Sequence, residues 1–456
     1  MIHSYKLGGF NIVLDTASGS IHSVDDVAFD AIDVYERETK TGLLSRMREK
    51  HPAVSDEDIS ELISDIDELK LRGKLFSPDR FAEISKSGKD KTIKALCMNV
   101  SHVCNMTCSY CFAGSGEYRG AGTLMPLETG KRAIDFLVEN SGGNRTLDVD
   151  FFGGEPLLNM GVVKGIVGYA RSIERESGNR FRFTLTTNGL LIDDDIIDFA
   201  NKEMHNVVLS LDGLPETNDR FRRLRDGGGS YADIVPKFKK LVEARRGRGY
   251  YIRGTFTNRN LEFTEDILHT ADLGFTELSM EPVVSKPDAP YGLTMDDLPV
   301  LFMQYEKLAA EMLKREKEGR GFAFYHYKLD LTGGPCIHKR LAGCGVGTEY
   351  LAVTPDGELY PCHQFVGNED FLMGDIRLGI TNAELHEKFI GRSIYTCAEC
   401  RDCWARYYCS GGCAANAYNS SDVINGVYKL GCELFKKRVE CAIMMKVAKA
   451  SGGAEQ

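Results

Sequence analysis

The chain holds 14 cysteines, and their placement is far from random. Cys97, Cys104, Cys108 and Cys111 form one group. Cys336, Cys344, Cys362, Cys397, Cys400, Cys403, Cys409, Cys413, Cys432 and Cys441 fill the last quarter, and none lies between Cys111 and Cys336. Small core cysteines would not leave that gap, so metal sites are the first reading. Cys104-x3-Cys108-x2-Cys111 offers three thiolates that can hold three irons of a [4Fe–4S] cube, with the fourth iron open to an outside ligand. Zinc is the alternative. A structural zinc takes four ligands, and no histidine closely follows Cys111, since His102 precedes the motif.

The elements that must position these thiols are those of a soluble globular chain. Its 456 residues suggest roughly three domains at about 150 residues each. Hydrophobic residues at 43% and charged residues at 27% exclude disorder and a disulfide-dependent miniature fold. A net charge of −10 argues against a general nucleic-acid binder, which needs a basic face. No stretch approaches the roughly 18 apolar residues of a membrane span. The N-terminus lacks the charged and apolar regions of a signal peptide. A cytoplasmic location is expected, where thiols stay reduced.

Residues 92 to about 290 alternate strand and helix. Ala95–Val100, Asp148–Phe152, Phe181–Thr186, Val207–Leu211, Tyr251–Thr257 and Glu277–Glu281 read as strands. Helical periodicity lies near Pro126–Asn140, Met160–Ser177, Asp193–Asn201, Tyr231–Ala244 and Leu261–Leu273. Six such units give a parallel sheet, and curled they form three quarters of a TIM barrel, a partial (β/α)6 barrel. Functional residues then belong just after the strands. A long helix, Met295–Glu318, is expected to lead away from this domain. Residues 1 to 84 read as a separate unit with strands Ile2–Leu7, Phe10–Leu14 and Ser20–Val24. Helices follow at Asp25–Tyr35, Thr41–Lys50 and Ser55–Leu71, and a last strand at Lys74–Phe76. The pattern suits a winged-helix-like module, and its acidic third helix argues against DNA. Ser85–Lys91 reads as an exposed linker.

The triad after the first barrel strand, with Tyr110 before the last cysteine, resembles the radical S-adenosylmethionine (SAM) enzymes. The resemblance implies that the open iron chelates SAM, and that reductive cleavage yields a 5′-deoxyadenosyl radical that abstracts hydrogen. Gly153-Gly154-Glu155-Pro156 is similar to the family's GGE motif, whose backbone and Glu receive the SAM ammonium. Thr186–Gly189 and Ser210–Gly213 follow the next two strands, where similar enzymes contact the ribose or simply turn. By this likeness Tyr110, Gly153, Gly154, Glu155, Ser210 and Arg222 fall to SAM. Arg222, or Arg223 in its place, would pair with the SAM carboxylate, a match that suits a bidentate guanidinium.

The run Cys400-x2-Cys403-x5-Cys409-x3-Cys413, flanked by Cys344, Cys362 and Cys432, resembles the SPASM extension of radical SAM enzymes that modify peptides. The resemblance implies two auxiliary [4Fe–4S] clusters, three in all. Cys400, Cys403, Cys409 and Cys432 would close the outer one, and Cys344, Cys362 and Cys413 would hold the inner one. Either Cys336 completes the inner cluster or its fourth iron stays open for a substrate thiolate. Cys97 and Cys441 read as structural. Cys397 also reads so, although its Cx2C spacing with Cys400 would allow ligation.

The stretches Phe324–Tyr327, Lys339–Gly345 and Tyr360–Phe365 resemble the maturases of the cysteine-rich SCIFF peptide, thioether-forming enzymes of the sactionine and ranthipeptide kind. What this implies is a leader-peptide recognition (RRE-like) domain over residues 1–84, a radical SAM barrel over 92–320 and a SPASM domain over 321–456. The enzyme would be an oxidoreductase that joins cysteine sulfur to an acceptor carbon of a precursor peptide, fed by a low-potential electron donor. The leader would add as a strand between Ser20–Val24 and Ser55–Leu71. Anaerobic sulfatase maturation to formylglycine, peptide epimerisation and C–C cross-linking are the alternatives.

Overall fold

The computed structural model describes residues 1–84, 92–114, 116, 118, 122–285, 289–331 and 336–452. It opens with a three-stranded antiparallel sheet, β1 (Ile2–Leu7), β2 (Phe10–Asp15) and β3 (Ile21–Val24). Three helices follow, α1 (Asp26–Val34), α2 (Lys40–Lys50) and α3 (Asp56–Leu71). Each begins on a side-chain cap: Asp25, Thr39 and Ser55 accept from the backbone N–H three residues on. The central strand β2 is buried on both faces. Val13 joins Leu43, Met47, Ile59 and Ile63 in a core private to this unit, whereas Ile12 and Leu14 belong to the main core of the chain. That is the two-residue alternation of a strand covered on both sides.

The strand expected at Lys74–Phe76 does not form. Gly73 and Phe76 both take left-handed backbone, with φ of 65° and 54°. The chain turns there instead, and Leu75 seals the unit's core. The carbonyl of Lys74 meets His22 Nε2 at 2.9 Å. The linker at Ser85–Lys91 lies outside the described residues.

Six strands then lie side by side in chain order, all parallel. They are β4 (Ala95–Ser101), β5 (Thr146–Gly153), β6 (Arg180–Thr187), β7 (Met204–Ser210), β8 (Tyr250–Phe256) and β9 (Glu277–Pro282). Between them run α4 (Leu127–Glu139), α5 (Met160–Ser177), α6 (Asp194–Glu203), α7 (Pro215–Phe221), α8 (Tyr231–Ala244) and α9 (Phe263–Asp272). β4 is buried from Leu96 to Ser101, as a parallel strand with both faces covered must be.

The helix α10 (Leu298–Lys317) does not lead away from this layer. It packs back on α9: the Phe263 and Tyr305 rings lie 4.8 Å apart, and Thr264 Oγ1 donates to the Gln304 carbonyl at 2.8 Å. The C-terminal region is stitched to both margins of the sheet. β10 (Ala323–Phe324) pairs with β9, and after α11 (Ile337–Ala342), β11 (Tyr350–Val353) pairs with β4, both in parallel. From β11 an antiparallel meander continues through β12 (Glu358–Tyr360), β13 (Gly374–Asp375) and β14 (Gly379–Ile380). Four short helices follow: α12 (Ala383–Ile390), α13 (Ala398–Arg401), α14 (Arg406–Cys409) and α15 (Ala414–Ser421). The last helix, α16 (Lys429–Gly452), lies against α10, β1 and β2. Among the described residues no helix is long and apolar enough to cross a membrane.

Candidate functional site

The loop leaving β4 and the end of β5 are laid flat against each other. Gly154 N donates to Ser101 O at 2.7 Å and Glu155 N to Val103 O at 2.9 Å. A Cβ on Gly153 would stand 2.2 Å from Ser101 O, and one on Gly154 would stand 2.3 Å from Val103 O. Only glycine allows this approach, and Gly153 also needs it for a φ of 138°. The approach sets the start of the loop that carries Cys104. Met106 N donates to Cys104 Sγ at 3.4 Å, and Asn188 Nδ2 lies 3.7 Å from the same sulfur.

Around this loop lies a cavity of about 310 Å³ walled by the C-terminal ends of all six parallel strands. Cys104, Cys108, Tyr110 and Cys111 line it after β4, then Gly153, Gly154 and Glu155 after β5. Thr186 to Asn188, Ser210 and Arg222 come next, followed by Arg253 and Thr255 on β8 and Glu281 on β9. His363, Gln364 and Asn419 close it from the C-terminal region. Every residue that sequence reading gave to SAM therefore faces one space. Arg223 is not among the lining residues; its carbonyl accepts from Thr107 N at 2.9 Å.

Glu155 is buried with both oxygens engaged. Oε1 accepts from Thr187 Oγ1 at 2.7 Å and Leu157 N at 3.1 Å, and Oε2 accepts from Asn188 N at 2.8 Å. Burial outweighs these donors and pushes its carboxyl up to about 7. Arg222 donates to the Tyr110 hydroxyl at 3.0 Å, and that hydroxyl donates to Asp212 at 2.5 Å. Asp212 also accepts from Thr255 N at 3.0 Å, and burial pushes it up to about 6. Arg222 Nε is buried with no partner, which leaves a donor for an anionic ligand such as a carboxylate. Sequence reading had seen Asp212 only as part of a turn. Its place directly after β7 is the signal that marks it.

Cys362 feels the charge of Cys413 and Cys344, while Cys400, Cys409 and Cys432 repel one another, with Cys403 beside the last two. Burial pushes Cys104 and Cys432 up to about 12, so a cationic iron centre is what would hold these sulfurs as thiolates. Among the described residues no three His, Cys, Asp or Glu side chains converge tightly enough for a single ion. Cys336 is exposed at the start of α11, whose six residues, about 9 Å of helix, separate it from Cys344. Cys397 is buried beside Cys400, and Cys97, buried in β4, acts on Cys362. Cys441 is buried on α16.

His363 went unnoticed in the sequence although it directly follows Cys362. Its ring packs 4.8 Å from Phe152 and 5.5 Å from Phe112, and burial drops it to about 4, so it is neutral.

Residues 98–271 match the family model of the radical SAM superfamily, and residues 344–404 match that of SPASM, an iron-sulfur cluster-binding domain. The chain is 26% identical over 372 residues to the cysteine-type anaerobic sulfatase-maturating enzyme of Clostridium novyi, spanning 77% of this chain and 95% of that one. Its fold matches anSMEcpe with bound AdoMet and Kp18Cys peptide at a TM-score of 0.64 and 20% identity, over 78% of this chain and 99% of that one. It also matches Streptococcus suis SuiB bound to precursor peptide SuiA at a TM-score of 0.52 and 15% identity, over 92% of this chain and 96% of that one.

Proposed function

On a chain that carries a radical SAM domain followed by a SPASM iron–sulfur domain, we propose an enzyme that joins cysteine sulfur to an acceptor carbon in a ribosomally made, cysteine-rich precursor peptide. The observation that carries this reading is the single cavity. Cys104, Cys108 and Cys111 line it together with His363 and Gln364, which follow Cys362 in sequence, and Asn419. The cysteines read as radical-forming and the segment that follows Cys362 thus share one space, which brings the C-terminal region up to the site.

In this reading the six parallel strands curl as a partial barrel. Cys104, Cys108 and Cys111 hold the SAM-cleaving cluster, Cys344, Cys362 and Cys413 an inner auxiliary cluster, and Cys400, Cys403, Cys409 and Cys432 an outer one. Bound together, the first cluster and SAM supply a radical able to abstract hydrogen from an unactivated C–H bond. The protein's own groups position the reactants. Gly153, Gly154 and Glu155 orient the SAM ammonium, Ser210 meets the ribose, and Arg222 offers its free Nε–H to the SAM carboxylate. Tyr110 and Asp212 keep that guanidinium in place. Three inner cysteines leave one iron of a cube without a protein thiolate, and in this reading a substrate thiolate rather than Cys336 takes that position.

Residues 1–84 are read as the leader-binding unit, with β3 as the edge that receives a strand and α3 beside it. What supports this is the SuiB likeness. It spans 92% of the chain, and residues 1–84 are a larger share than the part left unmatched. Residues 92–320 and 321–456 are read as the barrel and SPASM domains. Formylglycine formation on a sulfatase cysteine is the second reading, favoured by the identity to the Clostridium novyi enzyme over 95% of its length.

The test is an anaerobic assay of iron-reconstituted protein with SAM and a strong reductant. One arm uses the cysteine-rich peptide whose reading frame adjoins this chain's gene, and the other a cysteine-containing sulfatase peptide. Loss of two hydrogens per link, with fragmentation blocked between a cysteine and its partner, is the expected result in the first arm. An aldehyde in the second arm and no change in the first would replace the thioether reading with sulfatase maturation.

A further inference from the structure

Both readings above turn a peptide cysteine and a carbon radical into product with loss of one proton and one electron. Glu155 and Tyr110 are not free to take that proton. Glu155 has three donors on its two oxygens. Tyr110 is tied between Asp212 and Arg222. His363 is packed between two aromatic rings with its Nδ1 unpartnered among the described residues, which makes it the rival base, but no charged group supports it from behind.

Glu281 is placed differently. It stands near the end of β9, lines the cavity, and keeps 35% of its side chain exposed. Behind it is a buried support drawn from distant parts of the chain. His326 Nε2 lies 3.3 Å from Oε1, and Arg438 of α16 lies 3.7 Å from Oε2. Arg438 Nη1 also meets His326 Nδ1 at 3.0 Å. A guanidinium only donates, so Nδ1 accepts and the hydrogen sits on Nε2. That N–H meets Ser279 Oγ at 3.3 Å, and Glu281 Oε1 lies at the same distance from Nε2. His326 and Arg438 each keep only 10% side-chain exposure, so the support lies behind the cavity lining and is not a surface pairing. Burial alone would raise the Glu281 carboxyl. His326, Arg438 and Arg253 more than offset that and hold it below the usual range, hence ionised.

We propose that Glu281 is the general base that takes the substrate cysteine's thiol proton, with His326 and Arg438 as its positioning residues. The step balances as follows. The S–H bond breaks, its proton goes to a Glu281 oxygen, the sulfur makes its new bond to carbon, and one electron passes to an oxidised auxiliary iron–sulfur cluster. A carboxylate suffices because sulfur that is forming this bond is far more acidic than a free thiol of pKa about 8.5. The proposal rests on the reading that the substrate is a peptide cysteine. It holds for a thioether, where the new bond is C–S to the acceptor carbon, and for formylglycine, where it is the second C–S bond of a thioaldehyde that water then hydrolyses with release of hydrogen sulfide.

The test uses the full reconstituted chain, SAM and the two peptides named above, and reads modified peptide formed per 5′-deoxyadenosine at pH 7 and pH 9. Glu281→Gln keeps shape and loses the base. The expected drop at pH 7 is about 100-fold. It recovers at pH 9, where the thiol ionises unaided. Glu281→Asp keeps intermediate activity, and it decides the matter if the Gln variant fails to load iron. The groups facing Glu281 are His326, Arg438 from α16, Arg253 and Tyr251 from β8, Tyr305 from α10 and, across the cavity, His363. His326→Gln removes one support of the ionised form, so the acid limb of the pH profile moves to higher pH. A Gln variant within threefold of wild type at pH 7, or a loss that pH 9 does not restore, overturns the assignment. If wild-type protein cleaves SAM and alters neither peptide, the peptide-cysteine reading itself falls, and this proposal with it.

Discussion

His3 of β1 stacks on Trp404, with ring centroids 3.7 Å apart and planes 6° from parallel. Trp404 directly follows Cys403, so the first strand of the N-terminal unit rests on the segment that carries the outer cysteine group. His3 Nε2 also meets Glu440 Oε1 at 3.0 Å, and the Tyr5 hydroxyl donates to the Glu440 carbonyl at 3.0 Å. Trp404→Ala removes the stack and a large apolar side chain at a cost of about 3 kcal/mol. Amide exchange in Ile2–Leu7 should quicken while α3, held by the unit's own core, stays protected. Unchanged exchange in β1 would mean that docking does not depend on this stack.

A second tie is made by Asp79. Its carboxylate accepts from Tyr395 at 2.8 Å, from Tyr407 at 2.5 Å and from the buried Arg406 at 2.9 Å. Burial works against the charge, but the two hydroxyls and the guanidinium prevail and depress the Asp79 carboxyl. A folded-state pKa below the unfolded value gives stability that is present above about pH 4 and is lost as pH falls through the folded value. Acid titration of wild-type protein should therefore show a loss of stability below about pH 4 that Asp79→Asn lacks. At neutral pH that variant should be about 3 kcal/mol less stable, because Arg406 is left buried without its anion. Matching acid titrations of the two proteins would remove Asp79 from the docking contact.

The parallel strands could be read from sequence because each is a short run of β-favouring residues that ends in turn residues, as in Phe181–Thr186, which alternates apolar and polar residues before Asn188-Gly189. The cysteine groups could be read because ligand spacing is local. The left-handed turn at Gly73 and Phe76 could not, since Lys74–Phe76 has an ordinary strand composition and only the packing of Leu75 decides its path. The return of α10 onto α9 was also hidden, because an amphipathic helix does not say which neighbour it covers. The Tyr110–Asp212–Arg222 chain and the Glu281–His326–Arg438 support join residues from separate elements. Each residue is unremarkable in its own stretch of sequence. Only the folded sheet brings them to one cavity.

Gly154→Ala tests whether the β5 tail sets the first cysteine loop. The new Cβ would stand 2.3 Å from the Val103 carbonyl, a backbone atom that cannot swing aside. The loop from Ser101 to Cys104 has to move, and Cys104 moves with it. The variant should bind about four fewer irons per chain and lose SAM cleavage, with the C-terminal groups still loaded. Full iron content in the variant would show that the loop can shift without losing its ligand geometry.

Replacing Cys104, Cys108 and Cys111 together with Ala tests the division of the thiols into independent groups. These three line the cavity, whereas Cys400, Cys403, Cys409 and Cys432 gather on α13, α14, the turn between them and α16. No strand of the parallel sheet carries any of the outer four. Their folding should therefore be indifferent to the first group, apart from the contact of β11 with β4 that both regions share. The expected result is complete loss of SAM cleavage, about eight irons per chain retained, and a far-ultraviolet spectrum like that of wild type. SAM cleavage by the triple variant would refute the assignment of Cys104, Cys108 and Cys111. Loss of all iron would show instead that the three groups load as one unit.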